Sequence, residues 1–140
     1  MMTAARRGIL LVAALLLAGC AAMQPLSQPE PSGNTAVLAL LNKAHQQSAA
    51  GRMDAASADL ERALRIEPRN PVLWQELARV RLEQGQYRQA ENMAAKSNAL
   101  AAGSRYLQRE NWRIIGEARS RRGDLNGARA AFEKAEEQAP

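Results

Sequence analysis

Residues 70–90 read NPVLWQELARVRLEQGQYRQA and decide the fold of this chain. Asn70 before Pro71 is typical of a helix start, with an N-cap followed by proline at the first helical position. Apolar and small residues then recur at helical spacing as far as Gly85, a residue that tolerates the positive φ of a turn between helices. A second periodic segment starts at Tyr87. The stretch therefore predicts two helices joined by a short turn.

The same arrangement occurs on both sides of this stretch, around Gly51 and Gly123. The interval from Gly85 to Gly123 is one helical turn longer than the interval from Gly51 to Gly85. Self-similarity at such a period indicates a repeated supersecondary unit. The matching small residues are Ala44, Ala78 and Gly116 before the glycines and Ala56, Ala90 and Ala128 after them, while Trp74, Trp112, Leu60 and Phe132 are the large residues expected to fill the layer between the helices.

The pattern resembles the tetratricopeptide repeat, a helix–turn–helix unit, over residues 36–140. The resemblance implies an all-α solenoid. Composition agrees, since aromatic residues make up 4% of an alanine-rich chain, which argues against a β-sandwich or barrel. We predict three repeats, at about 37–70, 71–104 and 105–140. The six predicted helices are near 36–50, 54–67, 71–84, 87–102, 105–122 and 125–138.

Two departures from the repeat predict local differences. The longer second spacing adds about one helical turn, and Gly103-Ser104 places that turn at the start of the fifth helix. The inter-repeat position that is Leu64 in the first repeat becomes Asn98 and then Glu136. Because a terminal repeat needs a polar outer face, the array is expected to stop at three repeats.

The N-terminal residues predict export and anchoring. Two arginines precede an apolar run at 8–18, which is too short to span a bilayer and is typical of a signal peptide, here residues 1–19. Leu-Ala-Gly-Cys at 17–20 resembles the lipobox of bacterial lipoproteins. The resemblance implies a covalent lipid on Cys20, and Ala21 favours the outer membrane, facing the periplasm, over the inner membrane.

Residues 20–35 are predicted to form a flexible tether. They contain three prolines and show neither helical nor strand periodicity, so extended and solvated backbone is favoured. The fifteen residues after the cysteine reach about 50 Å when fully extended, at ~3.3–3.6 Å per residue. Such a tether would let the helical domain stand away from the membrane.

In the tetratricopeptide family the first helix of each repeat lines a concave groove. The resemblance places three residues of the first repeat there, Leu38, Leu41 and His45. The predicted partner-binding residues are Gln75, Arg79 and Glu83 of the second repeat and Arg113, Glu117 and Arg121 of the third. The lysine and asparagine set that grips terminal carboxylates in one subgroup is absent from these positions.

A basic ridge is predicted on the fifth helix. Arg105, Arg109 and Arg113 recur every four residues and therefore share one helix face. One interpretation is a contact with an acidic peptide or a lipid phosphate, for which the bidentate geometry of arginine is suited. The other is a solvated face that Glu110 and Glu117 neutralise locally.

The sequence offers little for catalysis or for a cofactor. A single cysteine and a single histidine, His45, leave no set of thiolate or imidazole metal ligands. No glycine-rich phosphate loop or Ser–His–Asp order occurs. Lys and Arg outnumber Asp and Glu by 19 to 14, but they alternate with glutamates and follow an export signal, so we expect no nucleic-acid partner, no metal and no enzyme.

Two functions remain open. The first is a membrane-anchored scaffold, adaptor or assembly factor that binds a protein or peptide of the periplasm through the groove. The second is a self-associating structural or regulatory subunit of an envelope machine, such as an enzyme activator. The second rests on Val37, Leu40 and Leu41, which are expected to form an exposed apolar patch on the first helix.

Overall fold

The computed structural model describes residues 26–140, and every regular element in that part of the chain is an α-helix. The helices pack as three consecutive helix–turn–helix pairs, so the predicted all-α solenoid is confirmed. Each observed helix boundary lies within two residues of the predicted one. The helices are α1 Thr35–Ala49, α2 Met53–Ile66, α3 Pro71–Glu83, α4 Tyr87–Leu100, α5 Arg105–Arg121 and α6 Leu125–Glu137.

The predictions for the N-terminus lie outside the described residues. These are the signal peptide at 1–19 and the acylation of Cys20, which therefore stay predictions. Among residues 26–140, no helix combines the length and the apolar character needed to cross a bilayer.

Each helix pair is joined at a glycine whose backbone is left-handed. The φ angle is +73° at Gly51, +72° at Gly85 and +83° at Gly123. Left-handed backbone costs other residues roughly 1–2 kcal/mol because Cβ approaches the following carbonyl oxygen. The repeated glycines thus mark the turn within each unit, as the sequence predicted.

Two apolar clusters form the core. The first joins α1, α2 and α3 and includes Leu60, Leu73 and Leu77, which are all at most 2% exposed. The second joins α3 to the last three helices and contains the fully buried Ala78 and Ala90. Small side chains in this second cluster allow close helix packing, whereas leucines fill the first.

The expected apolar patch on α1 is not observed. Val37 is 0% exposed and Leu41 is 4% exposed, and Leu40 packs against the same cluster. Val37, Leu41 and Ala44 follow helical spacing and form one buried stripe against α2. The prediction was wrong because it assigned these residues to the outer face, whereas the stripe is the face that α1 needs in order to pack at all.

The added turn is confirmed at the start of α5. This helix has 17 residues, compared with 13 in α3, and Ser104 is its N-cap. Trp112 is the eighth residue of α5, whereas the matching Trp74 is the fourth residue of α3. The four extra residues therefore precede the part of the helix that follows the repeat.

A buried polar network fills the space between the second and third repeats. The amide of Asn111, 0% exposed, donates to Ser97 Oγ at 2.8 Å and to Asn98 Oδ1 at 3.0 Å. Ser97 Oγ in turn donates to the Pro71 carbonyl at 2.7 Å. Ser97, which stands at a normally apolar position of α4, is thus hydrogen-bonded as burial requires, whereas Asn98 is bonded through Oδ1 and its Nδ2 has no partner among residues 26–140.

The end of the predicted tether is held against the helical domain. Asn70 Nδ2 donates to the Pro31 carbonyl at 2.7 Å, and Ser32 Oγ donates to Glu67 Oε1 at 2.6 Å. Asn34 then caps α1, because its side chain accepts from the first backbone amides of the helix. The expectation of a flexible segment over all of residues 20–35 therefore needs correction at residues 31–34, which the α2–α3 turn positions.

Candidate functional site

A shallow groove lies between α3 and α5, the first helices of the second and third repeats. It is a depression of about 440 Å³ with charged walls and an apolar part contributed by Leu82, Ile114 and Phe132. Four predicted residues meet there although they come from two helices that are far apart in the chain. The groove residues are Arg79, Leu82, Glu83, Glu110, Arg113, Ile114, Glu117 and Phe132.

The charges of the groove are paired across and along the helices. Glu110 lies between two guanidinium groups, with Oε2 3.5 Å from Arg79 Nη2 and Oε1 3.7 Å from Arg113 Nη1. Arg121 Nη2 lies 3.3 Å from Glu117 Oε1, one turn away on α5. Glu110 thus neutralises Arg79 and Arg113 locally, and Arg113 is the one residue of the predicted ridge that pairs with a carboxylate among residues 26–140.

These ion pairs are weak enough to be exchanged for contacts with a partner. The side chains of Arg79, Arg113 and Arg121 are 43%, 53% and 61% exposed. Exposed ion pairs contribute only about 0–1 kcal/mol each, since water screens them. The groove therefore presents Arg79 and Arg113, which are positioned by their helices and held loosely by Glu110, whereas the predicted Arg121, farther along α5, is not among the residues that line it.

Gln75 does not reach the groove surface. It is 2% exposed, and its Nε2 donates to Asn111 Oδ1 at 3.1 Å and to the Leu107 carbonyl at 3.4 Å. Leu107 belongs to the added turn of α5, which covers this part of α3. The prediction of Gln75 as a contact residue is therefore wrong, because the extra turn converts its position into part of the interface between repeats.

The basic ridge divides in the structure. Arg105 donates through Nη2 to the Ala139 carbonyl near the end of the chain, and Arg109 is only partly exposed. Arg113 alone among the three lines the groove. The helical spacing is as predicted, but the three guanidinium groups have different surroundings.

Phe132 has a role that the repeat pattern did not indicate. Its ring packs over Gly116, since a Cβ built on that glycine would lie 2.6 Å from Phe132 Cε1. The side chain nevertheless remains 41% exposed and forms one edge of the groove. Sequence reasoning expected an interior filler, and only the packing of α5 on α6 shows that the ring also faces outward.

Outside the groove, one further contact links first helices. His45 Nε2 of α1 lies 3.2 Å from Glu76 Oε2 of α3, so the histidine faces α3. Leu41, from the same predicted set, is buried. Within residues 26–140, no group of three or more His, Cys, Asp or Glu residues is arranged to hold a metal ion.

The comparisons with known proteins agree with this geometry. A family model described as tetratricopeptide repeat matches residues 47–109. A solved structure, the globular C-terminal domain of LpoP from P. aeruginosa, is 43% identical and superimposes with a TM-score of 0.73, covering 75% of this chain and 99% of that one. The chain belongs to the tetratricopeptide repeat family. No curated protein sequence matches it significantly.

The two matches differ in how much of the helical region they cover. The family model matches residues 47–109, whereas the structural match extends the likeness over three-quarters of the chain. The longer fifth helix is the place where the spacing of the repeats changes within this chain.

Proposed function

We propose that this tetratricopeptide protein is a scaffold or adaptor of the bacterial envelope that binds a protein or peptide partner through the α3–α5 groove. The observation that carries the proposal is the convergence of Arg79, Glu83, Arg113 and Glu117 on one depression. A groove of alternating sign suits a peptide segment or protein edge that offers both carboxylates and amines. The proposed role is binding and not catalysis.

Replacing Arg79, Arg113 and Arg121 with glutamate is expected to weaken partner binding at least tenfold, or about 1.4 kcal/mol. The reversal leaves Glu83, Glu110 and Glu117 in a groove without opposite charge. The measurement is crosslinking of the lipidated protein in envelopes, followed by mass spectrometry and titration of the captured partner.

The matched control reverses three exposed arginines away from the groove, Arg65, Arg69 and Arg88. It makes the same change in net charge and should retain the partner. Equal capture by the groove variant and the wild type, with both folded by circular dichroism, would contradict the proposal and move the binding site elsewhere.

We propose further that Cys20 is acylated and anchors the protein in the outer membrane. The support is the resemblance of residues 17–20 to a lipobox. The Cys20→Ser variant is expected to lose incorporation of labelled palmitate and to leave the membrane fraction. Retention of both by the variant would show that the anchor is not at Cys20.

Self-association is the weaker alternative. Its stated basis was an exposed patch on α1, and that patch is buried. Sedimentation of the protein at several concentrations distinguishes the two functions, because an adaptor of the proposed kind remains a monomer in the absence of its partner.

A further inference from the structure

The outer side of α6 carries exposed apolar residues among charged ones and has no covering helix in the described part of the chain. Leu125 is 66% exposed and Phe132 is 41% exposed. They border a depression of about 740 Å³ that is distinct from the groove except for the shared Phe132. We call this surface the end face; its residues are Ser120, Leu125, Ala128, Arg129, Phe132, Glu133, Glu136 and Glu137.

The repeat shows what this surface is built to receive. The residue nine positions after the turn glycine is Leu60 in α2, Ala94 in α4 and Phe132 in α6. The first two are 1% and 0% exposed, because α3 covers α2 and α5 covers α4. The end face is therefore a third copy of a surface that binds an amphipathic helix twice within this molecule, with Glu136 in place of the buried Leu64.

The covering helices share a side-chain pattern. In α3, Leu73, Leu77 and Val80 enter the core, and Arg81 follows directly. In α5 the matching positions are Asn111, Ile115, Ala118 and Arg119. Both helices thus place buried residues at a, a+4 and a+7 and an arginine at a+8.

That arginine finds a carboxylate on the covered helix in both cases. Arg81 Nη2 lies 2.5 Å from Glu61 Oε1, and Arg119 Nη2 lies 2.6 Å from Glu91 Oε1. The two carboxylates do not occupy matching positions, since Glu91 is one helical turn closer to its turn glycine than Glu61 is. In α6, Glu133 occupies the position that matches Glu61. Glu133 has no basic side chain in ion-pair contact among residues 26–140, so the end face carries the carboxylate without its arginine.

The charge of the end face argues against a second copy of this chain. Three glutamates, Glu133, Glu136 and Glu137, stand against one arginine, Arg129. Symmetric pairing would oppose two surfaces of net negative charge. Head-to-tail stacking would need a complementary apolar surface on α1, and none of the large apolar residues of α1 is exposed.

We propose that the end face binds an amphipathic helix of a partner protein, with apolar residues at a, a+4 and a+7 and an arginine or lysine at a+8. The helix packs on Leu125 and Phe132, and its basic residue pairs with Glu133. This inference rests on the proposed protein-binding function. It adds the end face as a second binding surface, which adjoins the groove at Phe132. Its test leaves the arginines of the groove unchanged.

A segment of this chain, residues 69–83, can serve as the test helix for the end face. Pro140 follows Gly123 at the same interval at which Pro68 follows Gly51. Appending a copy of residues 69–83 after Pro140 therefore places a second α3 in the register that the original has on α2. A directly attached helix has an effective concentration of the order of millimolar or higher.

The expected result is a rise in Tm of several degrees and at least tenfold slower hydrogen exchange of the α6 amides in the extended chain. Leu125→Glu in the extended chain should abolish both effects. An arginine-to-glutamate change at the appended copy of Arg81 should reduce both effects. Ile66→Glu is the matched control, since Ile66 is a large apolar residue, 46% exposed, outside the end face.

Unchanged α6 exchange on extension, or protection that survives Leu125→Glu, would overturn the proposal. A dimer of the unextended chain that Leu125→Glu dissociates would also overturn it, by assigning the end face to a second copy. If the extended chain shows no helix binding at the end face but the groove variant still loses its partner, the proposed function stands and only the proposed second binding surface is excluded.

Discussion

Replacing Asn111 with alanine is expected to lower the free energy of unfolding by about 3 kcal/mol, since each buried polar group that loses its partner costs roughly 1–3 kcal/mol. Asn111 is 0% exposed and uses both ends of its amide. Its Oδ1 accepts from Gln75, and its Nδ2 donates to Ser97 and Asn98. The substitution removes three hydrogen bonds and leaves a cavity between two repeats.

Urea unfolding followed by circular dichroism measures this loss. In thermal unfolding, the Tm should fall by more than about 10 °C, because 1 kcal/mol corresponds to about 4–8 °C in a domain of this size. The matched control is Asn92→Ala, the same change at an exposed position of α4, which should stay within about 0.5 kcal/mol of the wild type. A similar small effect at Asn111 would show that the network contributes little to stability.

Replacing Gly116 with valine is expected to destabilise the protein by about 2 kcal/mol, in the range for overpacked interiors. A Cβ on Gly116 would lie 2.6–2.8 Å from three carbons of the Phe132 ring. Because Gly116 lies on α5 and is buried, the aromatic ring must swing outward. The displaced ring would also change the edge that the groove and the end face share.

A double-mutant cycle with Phe132→Ala checks this explanation. If the cost at Gly116 is the clash with the ring, valine should be nearly neutral in the alanine background, giving a coupling energy of about 1.5 kcal/mol or more. Additive effects of the two substitutions would mean that the cost arises elsewhere, for example within the α5 backbone. Denaturant unfolding of the four proteins provides the comparison.

The fold could be predicted from local signals that repeat. Gly51, Gly85 and Gly123 mark turns because glycine itself tolerates left-handed backbone. Asn70-Pro71 marks a helix start because the fixed φ of proline suits the first helical position. The added turn in α5 was readable from the second spacing alone, since inserting four residues in a helix adds about one turn without altering its face.

The site was predicted less completely, because exposure depends on the neighbouring helix. Gln75 and Arg79 lie one turn apart on α3, yet only Arg79 is exposed. The difference is α5, which covers Gln75 through the Leu107 carbonyl of its added turn and through Asn111 in the following turn. Helical periodicity gives the side of the helix on which a residue lies, and it does not show how far along that side the next helix extends.

The sequence by itself determined the number of repeats, the helices and the glycine turns, because these follow from backbone preferences and from a periodic apolar pattern. Only the tertiary structure decided that Val37 and Leu41 are buried, that Glu110 lies between two arginines, and that Phe132 belongs to both the groove and the end face. Each of these depends on the distance between helices that are separate in sequence, and that distance is set by the packing of side chains and not by the pattern of any single helix.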